Sequence, residues 1–213
     1  MDRFGFIVHP FPARDFSRKF PFAQSLSDGF IESVAKYIPP FKVSHITGVE
    51  SAHNKTEGWF TVCPLTSRQM LEMPEQFVLK KIIKAGKVAE RLGAKIVGLG
   101  AFTSVVGDAG ITIAKNLNIA VTTGNSYTVA TALQGTRQAA KLLGISMERA
   151  NIVVLGATGS IGAACAQILA REARYLTLVA RNEVRMEKLA GQIFRATGLA
   201  VRVTANTKAA LKA

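Results

Sequence analysis

The sequence predicts an α/β protein, with an N-terminal α/β domain followed by a Rossmann-type parallel-sheet unit. Short runs rich in β-branched and aromatic residues alternate with helical stretches along the chain, which is typical of this class. Towards the C-terminus three predicted strands alternate with two helices, and the first strand runs into a glycine-rich turn. This layout indicates the first β-α-β-α-β half of a Rossmann fold.

The N-terminal domain is expected to span residues 1–125. Its predicted strands lie in the segments GFIVHP, FKVSHITGV, GWFTVCPL, KIVGLGAF and IAVTTG, and helices are predicted after Pro74 and near residues 109–117. In the helix after Pro74, an apolar face is formed by Val78, Ala85, Ala89 and Leu92, and the opposite face carries Lys80, Lys84, Lys87 and Arg91. This basic stripe is either an ordinary solvated face or a docking surface for an acidic partner.

The second domain is expected to span residues 126–213 and to begin with an amphipathic helix over residues 126–143, which Gly144 would cap. Strands are predicted over residues 152–155, 176–180 and 201–204. The first of these is almost continuously apolar, so we expect it to be buried on both faces. A complete dinucleotide fold has about six parallel strands. This chain supplies three, so either it is a fragment of a longer protein or an unusual element replaces the second half, and we expect a fragment.

Composition narrows the class of protein. With 48% hydrophobic and 19% charged residues the chain resembles an ordinary globular protein, and no apolar run approaches the ~20 residues of a membrane-spanning helix. The apolar stretch at the N-terminus is too short for a secretory signal, so we expect a cytoplasmic protein. The two cysteines and three scattered histidines offer neither a disulfide framework nor metal-ligand spacing. The net charge of +13 would attract polyanions, but basic and aromatic residues are not interleaved as in single-strand nucleic-acid binders, so we expect no nucleic-acid partner.

The stretch NIVVLGATGSIGAACAQILA carries the main functional signal. Gly156 would permit the tight turn out of the strand, Gly159 would let the backbone approach a pyrophosphate, and Gly162 would let the helix pack closely on the sheet. The helix N-terminus would then offer free N–H groups to phosphates. The predicted cofactor-binding residues of this loop are Gly156, Ala157, Thr158, Gly159, Ser160, Ile161 and Gly162. The alternative is a tight strand-to-helix turn without a ligand.

The end of the second strand of this unit indicates which dinucleotide binds. An acidic residue at this point would favour NAD, and none is present in LTLVARNEVRMEKL. Arg181 and Arg185 are instead suited to hold a 2′-phosphate, with Asn182 between them. The sequence therefore favours NADPH. The alternative is that both arginines are surface residues at the start of a helix that Asn182 caps.

Two dehydrogenase patterns are incomplete in this chain. None of the three tyrosines has a lysine four residues further on, so the Tyr-x-x-x-Lys pair of short-chain dehydrogenases is absent. An α/β domain joined by a helix to a Rossmann unit also resembles shikimate-type dehydrogenases. Their Asn-Thr-Asp segment corresponds here to TTGNSYT, which lacks the carboxylate.

Four segments, LGAFTSVVGD, VTTGNSYTVA, VVLGATGSIG and LVARNEVRMEKL, together resemble the long-chain acyl-carrier-protein reductases of cyanobacteria and their bacterial relatives. The resemblance covers about residues 75–213. It implies an NADPH-dependent reductase that converts a fatty acyl group, carried on acyl carrier protein or CoA, to the fatty aldehyde through a cysteine thioester. The family's cysteine corresponds to a position beyond residue 213, so the resemblance implies that this chain alone binds cofactor without turnover. Acyl carrier proteins are acidic, which would make the basic stripe their docking face.

The resemblance also implies that a substrate cleft between the domains is bordered by Phe102, Thr103, Ser104, Thr123, Gly124 and Asn125. Small hydroxyl and amide groups could orient a carbonyl there, or these could be turn and cap residues. Cys63 alternates with strand residues and is expected to be a packed thiol. Cys165 lies near a helix N-terminus, which favours a thiolate, but it also fits as a small core residue, and we expect neither cysteine to be catalytic. Two alternatives stay open: another NADP-dependent dehydrogenase acting on a hydroxy or amino acid, or a non-catalytic dinucleotide-binding module.

Overall fold

The computed structural model describes residues 2–212, which divide into two compact units between Gly124 and Asn125. The expected mixed α/β class is confirmed, because each unit is built on a sheet with parallel strands and packed helices. Within residues 2–212 no helix is long and apolar enough to cross a membrane.

The first unit contains a five-stranded sheet. Its elements are β1 (Arg3–Val8), α1 (Asp28–Ala35), β2 (Phe41–Glu50), β3 (Lys55–Val62), α2 (Ser67–Glu72), α3 (Glu75–Arg91), β4 (Ala94–Leu99), α4 (Ile111–Lys115) and β5 (Ala120–Thr122), with 3-10 helices at Ala13–Arg18, Pro21–Ser25 and Ala101–Ser104. The strand order is β2-β3-β1-β4-β5, in which β2 runs antiparallel to β3 and the other neighbouring pairs are parallel. The carboxyl ends of β1, β3, β4 and β5 therefore meet at one edge.

Helix α3 covers one face of this sheet. Its apolar residues Val78, Ile82 and Ala85 are fully buried, as the helical periodicity predicts. The approach is close at Gly5 of β1, where a Cβ would lie 2.8 Å from the Cβ of Ala89. Gly5 thus sets how near the helix can come to the sheet.

Two helices were not predicted from the sequence, and both carry local capping signals. Helix α1 is capped by Ser27, whose Oγ accepts the N–H of Phe30 at 3.3 Å. Helix α2 begins with a capping box in which Thr66 and Gln69 each accept the other's backbone N–H. At only 8 and 6 residues these helices present too few turns to show a helical period.

The second unit contains a three-stranded parallel sheet in the order β6-β7-β8. Its elements are α5 (Asn125–Leu142), β6 (Asn151–Leu155), α6 (Ser160–Leu169), β7 (Tyr175–Val179), α7 (Glu183–Thr197), β8 (Arg202–Thr204) and α8 (Thr207–Leu211). The core joins Leu178 of β7 and Met186 and Ile193 of α7 to Val129 and Leu133 of α5. The predicted β-α-β-α-β order is thus present, with strand ends within a residue or so of those expected.

The expectation that the first strand of this unit is buried on both faces is wrong. Within the described residues β6 pairs with β7 alone and so forms an edge of the sheet. Val154 is buried, whereas Leu155 is 53% exposed. The apolar sequence is that of an interior strand, but the strand order places it at an edge.

Candidate functional site

The glycine loop between β6 and α6 adopts the geometry that its three glycines permit. Gly156 has φ +70°, in the left-handed region that favours glycine, and its N–H donates to the carbonyl of Val179 at 2.8 Å. At Gly162 a Cβ would lie 2.4 Å from the carbonyl oxygen of Gly156. The helix therefore starts in direct contact with the loop, and a side chain at Gly162 would force the two apart.

The start of α6 offers hydrogen-bond donors beside this loop. The N-cap is Gly159, which provides no side chain to cap the helix. As the first three helical residues, Ser160, Ile161 and Gly162 have N–H groups without an intrahelical acceptor. With the positive end of the helix dipole, these groups can hold an anion.

A pocket of about 500 Å³ opens at the carboxyl edge of β6, β7 and β8. It is lined by Leu155, Gly156, Thr158, Gly159, Val179, Ala180, Arg181, Asn182, Arg185, Ala205 and Thr207. This edge is where ligands bind in open α/β sheets. Six of the residues predicted from the sequence to bind cofactor line this one cavity: Gly156, Thr158, Gly159, Arg181, Asn182 and Arg185.

The charges of the pocket come from Arg181 and Arg185. Both side chains are accessible from the pocket, and within residues 2–212 neither guanidinium lies within 4.0 Å of a carboxylate. They are therefore available to an anionic ligand. Asn182 also has a structural role, because its Oδ1 accepts the N–H of Arg185 at 2.9 Å and so caps α7.

Ala157 differs from the other predicted loop residues. Its side chain is fully buried in the core of the second unit, and its N–H donates to Val179 at 3.1 Å. Both its side chain and its amide are thus engaged within the protein, and the contact of Ala157 with the cofactor stays a prediction. Ala157 fixes the loop to the end of β7.

Sequence reasoning missed Ala205 and Thr207, which complete the pocket after β8. They could have been found from their position, because the carboxyl end of the third parallel strand must lie beside those of the first two. Neither residue type by itself carries a chemical signal.

Asn125 and Ser160 lie together in the second unit. The Asn125 Nδ2 donates to the Ser160 Oγ at 3.0 Å, so the start of α5 is tied to the start of α6. The sequence placed these residues in different groups, one at a substrate cleft and the other in the cofactor loop. The hydrogen bond shows that they share one local site.

In the first unit, the segment Ala101–Ser104 follows β4 and residues 123 and 124 follow β5, so both occupy the same sheet edge. Phe102 packs against the core, and the Ser104 hydroxyl donates to the Ala101 carbonyl at 2.6 Å. Thr103 is fully buried and its hydroxyl donates to the Gly100 carbonyl at 2.8 Å, so its side chain supports the turn. That a substrate cleft is bordered by Phe102, Thr103, Ser104, Thr123, Gly124 and Asn125 stays a prediction.

His9 follows β1 at this edge, and the sequence did not distinguish it from the other histidines. Its Nε2 accepts the N–H of Phe102 at 3.2 Å and its Nδ1 lies 2.9 Å from the carbonyl of Pro10. Both contacts suit the neutral ring, with the proton on Nδ1. Burial lowers the pKa of His9, opposed by the Pro10 hydrogen bond and by Asp15. His9 therefore holds the Ala101–Ser104 segment in place.

The two cysteines differ in their surroundings. Cys63 is fully buried, and burial raises the pKa of its thiol to about 12, opposed by Lys81 and by a hydrogen bond to Leu65. The expected packed thiol is confirmed. Cys165 is half-buried on α6 and packs against the core of the second unit, as expected for a small core residue. Within residues 2–212 there is no group of three or more His, Cys, Asp or Glu residues that could hold a metal ion.

The basic stripe on α3 consists of Lys80, Lys84, Lys87 and Arg91, and it follows the solvent side of the helix. Lys81, between them in sequence, is buried instead and donates to the carbonyl of Ile38 at 2.7 Å. The stripe is thus a cationic surface set by the helical period.

Fold and site together define a chain of two α/β units, the second of which is a Rossmann-type half with a glycine loop and an arginine-lined pocket. The chain is 28% identical over 192 residues to the long-chain acyl-[acyl-carrier-protein] reductase of Synechococcus elongatus, an alignment that covers 86% of this chain and 56% of the reductase. The resemblance predicted from the motifs is thereby confirmed, and it relates the chain to a reductase. No protein-family model matches the chain.

A second relative is the aminotransferase PigE of a Serratia species, 27% identical over 188 residues, which cover 84% of this chain and 22% of PigE. The chain therefore spans about half the length of the reductase and about a fifth of PigE. Two solved structures show a low level of similarity. An aspartate racemase homologue of Pyrococcus horikoshii is 12% identical with a TM-score of 0.36, and the match covers 100% of this chain and 68% of that one. The L-tryptophan dehydrogenase of Nostoc punctiforme is 14% identical with a TM-score of 0.38, and the match covers 95% of this chain and 52% of that one.

Proposed function

We propose that this chain binds NADPH in the pocket between the glycine loop and Arg181, as the cofactor-binding part of a reductase of fatty acyl groups. The main observation that supports this proposal is that the glycine loop, the free amides of α6 and two guanidinium groups all face one cavity of about 500 Å³. The loop and helix suit a pyrophosphate, and the arginines suit a phosphate further along. The named reductase relative supports the activity.

The residues present fit such a cofactor. A side chain at Gly156 or Gly162 would disturb the loop, by strain at φ +70° and by contact at 2.4 Å respectively. When bound, NADPH supplies the hydride for reduction. The chain's own part is to bind the pyrophosphate on α6 and the 2′-phosphate on Arg181 and Arg185, and so to place the cofactor along the sheet edge.

The choice of NADPH over NADH is tested by replacing both arginines. Arg181→Ser with Arg185→Ser removes two charge-assisted hydrogen bonds of about 1.5–3 kcal/mol each, so the Kd for NADPH should rise at least about a hundredfold. The Kd for NADH, which lacks the 2′-phosphate, changes little. Arg195→Ser is the matched control, since Arg195 is exposed on the same helix in its last turn. The readout is nucleotide fluorescence in a titration of the full chain. Equal losses for both nucleotides would contradict the proposed role.

Neither cysteine is proposed as the thioester nucleophile. A nucleophilic cysteine needs an accessible thiolate, and Cys63 is fully buried with a pKa raised to about 12. Cys165 packs against the core from α6. We therefore expect the 213-residue chain to bind NADPH without reducing acyl thioesters, and a Cys165→Ser variant to bind NADPH as the original chain does.

The basic stripe on α3 is the proposed docking face for an acidic acyl carrier protein. Complementary charge raises association rates and weakens as salt rises. Lys84→Glu with Lys87→Glu should therefore weaken carrier binding severalfold at low salt, with a smaller difference at high salt. Lys141→Glu with Arg149→Glu makes the same charge change on other exposed residues and serves as the control. If both pairs of substitutions weakened carrier binding equally, the loss would reflect net charge alone, and this result would contradict a specific docking face on α3.

A further inference from the structure

A second pocket, of about 320 Å³, opens in the first unit beside the end of β1. Val8, Val43 and Val62 contribute from three neighbouring strands, β1, β2 and β3. Because side chains alternate along a strand, Val8 lies on the opposite face of the sheet from Ile7, which faces the α3 core. Phe16 and Phe20 form another wall. The lining is therefore mostly hydrocarbon, suited to an apolar ligand.

The rings of Phe16 and Phe20 also border a smaller depression of about 130 Å³. Its lining is entirely apolar and includes Phe22 and Phe30, which are 71% and 53% exposed. An apolar surface thus continues past the Phe16 and Phe20 rings. Clustered exposed apolar side chains of this kind mark binding surfaces.

The charged groups that line the 320 Å³ pocket are mainly cationic. Asp15 is engaged, since it accepts the N–H of Phe11 at 2.9 Å and lies 3.6 Å from the Nε of Arg18. Lys19 is different, because its Nζ donates to the carbonyl of Val43 at 3.4 Å and has no carboxylate within 4.0 Å in residues 2–212. Among the lining residues that the structure describes, Lys19 is therefore the cation left to attract an anionic head group.

The pocket lies next to the sheet edge where ligands bind. His9 lines it and accepts the N–H of Phe102, so the pocket adjoins the Ala101–Ser104 segment after β4. Strands β2 and β3 lie on one side of β1 in the sheet, and β4 and β5 lie on the other side. The strand order therefore reverses between β1 and β4, which makes this place a topological switch point. A switch point is the usual ligand crevice of an open α/β sheet, and the pocket, which is lined from β1, β2 and β3, lies to one side of it.

We propose that this pocket holds the apolar tail of an anionic amphiphile, with Lys19 beside its charged head. In the proposed function it takes the hydrocarbon chain of the acyl substrate. That last assignment rests on the proposed function, whereas the chemistry of the ligand rests on the lining of the pocket. Phe16 and Phe20 contact the tail, and Val43 closes the pocket from the edge of the sheet.

The test is calorimetric titration of the full chain with octanoate, decanoate and dodecanoate at concentrations below micelle formation. The Kd should fall about threefold or more for each added CH₂ that enters the pocket. Val43→Phe fills the pocket and should raise the Kd for dodecanoate about tenfold, the loss expected when two CH₂ groups are displaced. Val49→Phe makes the same change on the same strand at a residue that does not line the pocket, and should leave the Kd unchanged.

Lys19→Glu provides a second variant that does not depend on repacking. It should weaken dodecanoate binding severalfold at low salt and leave binding of the neutral dodecanol unaffected. Equal dodecanoate affinity in Val43→Phe, Val49→Phe and the unchanged chain would overturn the proposal. So would a loss confined to Phe22→Ser, which would place the ligand on the exposed aromatic surface. NADPH titration of each variant separates the two ideas, because failure of the original chain to bind NADPH contradicts the proposed function and leaves the pocket result standing.

Discussion

Replacing Gly162 by alanine separates the packing of the glycine loop from ordinary helix propensity. In a helix alanine is favoured over glycine by about 1 kcal/mol. At this position, however, the new Cβ would lie 2.4 Å from the Gly156 oxygen and 2.9 Å from its carbonyl carbon, both backbone atoms. Overpacking of this kind costs about 1–3 kcal/mol, and here no flexible side chain can move aside. The gain in helix propensity offsets part of this cost, so we expect a net loss of up to about 2 kcal/mol.

Gly135→Ala is the matched control. Gly135 lies in α5, and a Cβ there has no other atom within 4 Å, so this variant should gain about 0.5–1 kcal/mol. In scanning calorimetry each kcal/mol shifts the midpoint by about 4–8 °C for a unit of 60–100 residues. Gly162→Ala should also weaken NADPH binding, because it moves the first amides of α6 away from the loop. The reasoning is refuted if Gly162→Ala is stabilised as Gly135→Ala is.

Three further outcomes are expected. Asn125→Ala removes a neutral hydrogen bond to Ser160 of about 0.5–1.5 kcal/mol, so the Kd for NADPH should rise about two- to tenfold. Adding Ser160→Ala to this variant should raise the Kd no further. Fully additive effects of the two substitutions would contradict a role for this hydrogen bond. In native Cys165→Ser protein at pH 8, Ellman's reagent should leave Cys63 unmodified until the chain unfolds, because burial raises the pKa of Cys63 to about 12; rapid labelling would contradict this. Hydrogen bonds from the backbone and side chain of Thr112 lower the pKa of Asp108, so its charge stabilises the fold above the unfolded pKa and this stability is lost as pH falls through the folded pKa. The difference in melting temperature between the original chain and Asp108→Asn should therefore shrink below about pH 4, and a constant difference would refute it.

The second unit was predictable because its signals are local. Strand and helix periods alternate clearly, and Gly156, Gly159 and Gly162 occupy positions with distinct backbone demands. The pairing of the glycine loop with Arg181 and Arg185 also followed, since parallel strands end at one edge. The burial of β6 did not, because the order of strands in a sheet is not encoded in any one strand.

The first unit was harder to predict because its particular features depend on tertiary contacts. The role of His9 arises from a hydrogen bond to Phe102, a residue far along the chain. The pocket beside it requires the 3-10 helices Ala13–Arg18 and Pro21–Ser25, which are too short to show periodicity. Burial of Thr103 likewise depends on packing that hydroxyl residues in a turn do not reveal.

The central claim is that a nicotinamide dinucleotide binds at the carboxyl edge of β6, β7 and β8. Its most direct test is an NMR titration of the ¹⁵N-labelled chain with NADPH. Saturable shifts should appear in the amides of residues 156–162 and 181–185 and of Thr207, with smaller changes in the first unit. An absence of saturable shifts, or shifts confined to residues outside this pocket, would contradict the account.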